Sequence, residues 1–77
     1  MRQTEWKRIF GDNLVGILEE KGMSQRQLAR DSGVSVSMIN DYINGQRIPS
    51  VIAAINMAYA LDMEVSELVD FDERVEM

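Results

Sequence analysis

Apolar residues near the start of the chain follow a helical rather than a strand repeat. Ile9, Phe10, Leu14, Ile17 and Leu18 share one face of a 3.6-residue period, and Gly22 after Lys21 is a stop signal. This predicts helix 1, starting between Thr4 and Arg8. Ser24 is an N-cap, and Gln27 three residues on completes a capping box ahead of Leu28 and Ala29. Helix 2 is predicted over 25–32, and Gly33 supplies the positive φ that a sharp reversal needs. Ser35 caps helix 3 over 36–44, with Ile39, Tyr42 and Ile43 inward and Asn44-Gly45 ending it.

Pro49 disfavours a helical Ile48, so "QRIPS" is a loop, and Ser50 caps helix 4 over 51–61. A last short helix fits "VSELVD", with Ser66 or Glu64 near its start and Leu68 turned to the core. The "FDERVEM" that follows alternates loosely through Phe71, Glu73, Val75 and Met77. An added strand and a frayed end both remain open for it. The organisation is one domain over 1–70 and an acidic C-terminal tail over 71–77.

Composition narrows the function. Seventy-seven residues make one small body, and the chain has neither cysteine nor histidine. Disulfides and thiolate or imidazole chemistry are therefore excluded, and an independent enzyme is not expected. No cofactor and no metal site are expected either. No apolar run approaches the roughly 20 residues that span a bilayer, so no membrane partner is expected and a soluble cytoplasmic protein is the default.

The formal charge of −5 is unevenly placed. Residues 1–61 carry seven basic and six acidic side chains, whereas residues 62–77 carry one base, Arg74, against seven acids. The acidity belongs to the tail. Attraction to phosphate acts over about 8 Å at physiological salt, so the local surface governs binding more than the sum does.

Helices 2 and 3 have the layout of a helix-turn-helix pair. The second helix of such a pair lies in the major groove while the first crosses the backbone. That geometry needs a small residue at the crossing, a turn glycine and apolar anchors, and Ala29, Gly33, Val34 and Ile39 stand there. A small helical bundle of another kind has similar needs. The strings "GMSQRQLARDSGVS", "INGQRIPS" and "AINMAYALDMEVSEL" make the case more specific: from Ile9 to Leu68 the chain resembles the Cro/phage-repressor (XRE-like) helix-turn-helix family. The resemblance implies an all-α, five-helix, lambda-repressor-like DNA-binding domain. It also implies a sequence-specific transcriptional regulator, usually dimeric.

By that resemblance, Gln25 hydrogen-bonds a phosphate at the start of helix 2. Val36, Ser37, Asn40 and Asp41 meet base edges, and Asn44, Gln46 and Arg47 touch the backbone. The bland readings are a solvated Gln25, a C-cap at Asn44 and a surface cation at Arg47. Among the readers only Asn40 belongs to the strongest readout set; Val36 suits a thymine methyl, Ser37 several bases, and Asp41 an amine donor such as that of cytosine. Asp41 also needs Arg30 or Arg47 to offset its charge near phosphates.

Two features depart from the family pattern. Many relatives carry Arg at the place of Leu18 and Glu at that of Ile43; two apolar residues are expected to make the same helix contact with different chemistry. Ile52 and Tyr59 fall where relatives carry charge, with Met63 extending the stripe. Either the tail covers them or they form a dimer interface. Trp6 is expected to add core cover.

The expected function is a repressor of prokaryotic, phage or mobile-element origin, acting as a homodimer on a double-stranded DNA operator. The alternative is a protein-interaction module of the same fold, an antitoxin or antirepressor, engaging a basic protein partner through the acidic tail.

Overall fold

Local chemistry explains where each helix begins. In the computed structural model, which describes residues 3–69 with side chains from Glu5 onward, five helices follow one another. They are α1 (Gln3–Lys21), α2 (Gln25–Ser32), α3 (Val36–Ile43), α4 (Val51–Ala60) and α5 (Val65–Leu68). Ser24, Ser35 and Ser50 each accept the backbone N–H three residues on, at 3.0, 3.1 and 3.0 Å. Each bond satisfies an orphan donor and is worth about 1 kcal/mol. Gly33 ends α2 at φ 77°, in the left-handed region, and its N–H bonds the Ala29 carbonyl. The fold is all-α among the described residues, as expected, and no helix there is long and apolar enough to cross a membrane.

Boundaries differ from the sequence expectation at four ends. Helix α1 begins at Gln3, one residue ahead of the 4–8 window, and its first turns carry Trp6, whose ring stacks on Phe10 with centroids 5.9 Å apart. Helix α4 ends at Ala60, with buried Leu61 as its C-cap, and α3 ends at Ile43 with Asn44 as C-cap. Helix α5 stops at Leu68, and Glu64 rather than Ser66 is its N-cap. The Glu67 carboxylate accepts the Glu64 N–H at 2.9 Å. The 71–77 tail, with its strand and frayed-end alternatives and its role as a partner surface or helix cover, lies outside the described residues.

Helix α1 packs on α3 and α5, α2 on α3 and α4, and α4 on α5. Phe10, Leu14, Leu28, Ile39, Tyr42, Met57, Leu61 and Leu68 are fully buried between them. Burial of each large apolar side chain contributes about 1.5–3 kcal/mol. The crossing of α1 and α3 is closest at Gly11. A Cβ there would stand 2.5 Å from the Tyr42 carbonyl oxygen and 2.9 Å from that of Ile43. Below this point Phe10 meets Tyr42 edge to face, with centroids 5.8 Å apart.

Leu18 is buried and Ile43 packs half-buried against the core. Both line one shallow groove with Met23 and Gln25. The apolar pair thus occupies the α1–α3 junction, as expected.

Gly11→Ala should cost about 1–3 kcal/mol, because the obstructing atoms are backbone. Gly16→Ala, on the same helix with open space at its Cβ, should instead gain up to about 1 kcal/mol. Thermal melts of the two variants check this, and a shift in the same direction for both would refute it. Leu18→Arg should cost about 3 kcal/mol or more, since no acid waits for it at Ile43; an unchanged melting temperature would sink the replacement account.

Candidate nucleic-acid interface

The exposed face of α3 is set by what the helix buries. Ile39 and Tyr42 go fully inward and Met38 half inward, which leaves Val36, Ser37 and Asn40 exposed and Asp41 half-exposed on the opposite side. Helix α2 is set across α3 by the Gly33 turn, where the Val34 N–H also donates to Ser32 Oγ at 3.1 Å. Val34 is itself buried, so the turn is anchored in the core. Gln25 is the first residue of α2, next to its N-cap and half-buried. There its backbone is among the unsatisfied donors that attract anions.

The loop after α3 folds back on that helix. The Gly45 N–H bonds the Tyr42 carbonyl at 3.0 Å and the Gln46 N–H bonds the Asp41 carbonyl at 2.9 Å. Gly45 takes φ 71° and lies against Arg8, with its Cβ position 3.6 Å from the Arg8 Cα. The loop is thereby pinned between α1 and α3, and Asn44, Gln46 and Arg47 are all exposed at the C-terminal end of α3.

Two side-chain bonds cross this surface. Asn44 Nδ2 donates to Asn40 Oδ1 at 3.0 Å, and Arg47 Nε donates to Asp41 Oδ2 at 3.2 Å. Of the two cations considered as an offset for the Asp41 charge, the structure pairs Arg47 with it. Beneath them the Tyr42 hydroxyl is buried. Burial raises its pKa above 10.0; Arg47 lowers it and Asp41 raises it. A raised folded pKa keeps the hydroxyl neutral at physiological pH, and the stability tied to it is lost only as pH rises past about 10.

Arg26 and Arg30 were not singled out as contacts from the sequence. One turn apart on α2, both are exposed, take part in no ion pair among the described residues, and line a groove with Gly33, Ser35 and Val36. Their i, i+4 spacing beside the turn was the available signal. Val36, Ser37, Asn40, Asn44, Gln46 and Arg47 are thus exposed on α3 and the loop after it, Asp41 and Gln25 are half-buried, and cations stand near both ends of α3: Arg26 and Arg30 beside Val36, and Arg47 on Asp41. Ile52 and Tyr59 are apart from it on α4, 67% and 86% exposed, together with Val51 and Ile55. Met63, beyond the end of α4, is half-buried against the core of its own chain.

Known proteins share this architecture. The Helix-turn-helix family profile matches residues 17–68. An uncharacterized HTH-type transcriptional regulator of Sinorhizobium fredii is 31% identical over 65 residues, which is 84% of each chain. The crystal structure of the restriction-modification controller protein C.AhdI from Aeromonas hydrophila superposes with a TM-score of 0.77 at 37% identity, covering 80% of this chain and 94% of that one. The turn at Gly33, the packing of α2 across α3 and the exposed face of α3 fall within the matched span, and the chain belongs to the XRE-type helix-turn-helix family of DNA-binding regulators.

Proposed function

We propose that the chain is a sequence-specific DNA-binding transcriptional regulator that represses by occupying an operator as a homodimer. The observation that carries this reading is the outward face of α3. Val36, Ser37, Asn40 and Asp41 stand clear of the core while Gln25 and Arg47 flank them with groups suited to phosphate. A helix presented in this way fits the major groove, with the flanking donors setting its register on the backbone. Val36 packs on a thymine methyl, Ser37 bonds a base edge, and Asn40 and Asp41 read by hydrogen bonds. Gln25, Asn44, Gln46 and Arg47 contact phosphates. The relatives' descriptions, a transcriptional regulator and a restriction-modification controller protein, support the same class of activity.

Two copies place two α3 helices in successive major grooves about 34 Å apart. The surface for pairing is α4, whose sequence VIAAINMAYA carries no charge and exposes Val51, Ile52, Ile55 and Tyr59 together. A contiguous apolar face of this kind suits an isologous contact, in which the same residues meet across the two-fold axis.

Selection from random DNA at low salt should enrich a two-fold symmetric site. Its affinity should fall with salt at about 0.9 log units per log unit for each phosphate contacted by a cation, and Arg47→Gln should remove about one such unit. A wild type that enriches no sequence refutes the reading. Light scattering should give a dimer for the wild type and a monomer for Ile52→Glu; a wild type that stays monomeric at tens of micromolar would rule out pairing through α4.

A further inference from the structure

The hydrogen-bond acceptors of two candidate base readers are engaged in the free chain. Asn40 Oδ1 accepts from Asn44 Nδ2 at 3.0 Å, and Asp41 Oδ2 accepts from Arg47 Nε at 3.2 Å. Both donors belong to residues to which the family resemblance gives only a phosphate contact. Both come from the end of α3 and the loop after it, which the bonds from Gly45 and Gln46 to the last turn of α3 hold in place.

We infer that Asn44 and Arg47 are positioning residues for base recognition: Asn44 fixes the amide of Asn40 and Arg47 fixes the carboxylate of Asp41, so the loop after α3 determines what each reader presents. This rests on the DNA reading proposed above and deepens it. An unrestrained Asn side chain can turn its amide over and exchange donor for acceptor. With Oδ1 committed to Asn44, the Asn40 amino group keeps both hydrogens for acceptors on a purine, such as N7, while Oδ1 retains one lone pair for an adenine amine. Asp41 has one oxygen committed to Arg47, and its Oδ1 is left to accept from a base amine, as on cytosine.

Arg47 is suited to a double task. It engages Asp41 through Nε, so both Nη groups remain for a phosphate oxygen. A lysine in its place keeps the positive charge and loses the fork, and so cannot do both. The pairing also answers the cost of carrying an acid toward DNA, since the guanidinium offsets the carboxylate where the helix meets the groove. The two bonds lie in exposed surroundings, where such contacts add little to folding stability. They can therefore be removed without unfolding the chain.

The test compares base profiles, salt slopes and free-state order in wild type, Asn40→Ala, Asp41→Ala, Asn44→Ala and Arg47→Lys, with melting temperatures as a folding check. Asn44→Ala should lose about tenfold in discrimination at the base pair that Asn40→Ala also relaxes, with the salt slope unchanged. Arg47→Lys should keep the slope and relax the base pair that Asp41→Ala relaxes. In the DNA-free protein, ¹⁵N relaxation of the Asn40 side-chain amide should show less order in Asn44→Ala than in wild type. The inference is overturned if Asn44→Ala and Arg47→Lys weaken all sites by one common factor and keep the wild-type base profile, because they then act as phosphate contacts alone. It is equally overturned if the Asn40 amide is as ordered without Asn44 as with it. A wild type that enriches no DNA at all overturns the parent reading instead, and the relaxation measurement still decides whether Asn44 holds Asn40.

Discussion

Backbone meets backbone where α1 crosses α3. At Gly11 a single Cβ would lie 2.5 Å from the Tyr42 carbonyl, so the two helices approach as closely as a glycine permits. That approach brings Phe10 and Tyr42 together edge to face, and Trp6 stacks on Phe10 in turn. It also decides the rotation of α3 about its axis. With Ile39 and Tyr42 held inward against α1, the residues one turn apart at Val36, Ser37, Asn40 and Asp41 have only the outside to occupy. Packing on one side of α3 thus generates the chemistry on the other.

Electrostatics follow from where charges sit rather than how many there are. The chain carries −5 overall, yet residues before Asp62 are nearly balanced. On the surface around α3, Arg47 is bound to Asp41, while Arg26 and Arg30 border the groove that holds Val36. A pair 3.2 Å apart and partly exposed adds little to stability, but it cancels an acid that would otherwise oppose phosphate at contact range. The surface is then close to neutral at its reading edge and cationic beside the turn.

Features made by neighbouring residues were legible in the sequence, and features made by distant ones were not. The serine caps at Ser24, Ser35 and Ser50 and the reversal at Gly33 are decided within three or four residues, so their positions were read correctly. Leu18 and Ile43 were legible as a pair because two charges were missing together. Gly11 carried no such mark: a glycine inside a helix looks like a mild defect until the partner helix is seen above it. The bond from Asn44 to Asn40 was equally hidden, since Asn44 had been matched to a backbone contact, whereas Arg47 was one of two cations expected to offset Asp41 and only the return of the loop onto α3 decides between them. A positive-φ turn at Asp62 breaks the helical count after α4, and Met63 beyond it is half-buried against the core.

Helix α4 packs directly on α2, and α2 packs on α3, so the exposed face of α4 is connected to the reading helix through two well-buried contacts. Ala53, Ala54, Met57 and Ala58 fill the inner side of α4 with small residues and one flexible one, which brings the helix close to its neighbours. Val51, Ile52, Ile55 and Tyr59 occupy the outer side of the same short rod. A rod of ten residues has no internal joint through which a shift at its outer face could be absorbed. In the homodimer proposed above, the angle at which two α4 faces meet would therefore be transmitted to the separation of the two α3 helices, and the spacing of the operator's half-sites would follow from side-chain packing on α4.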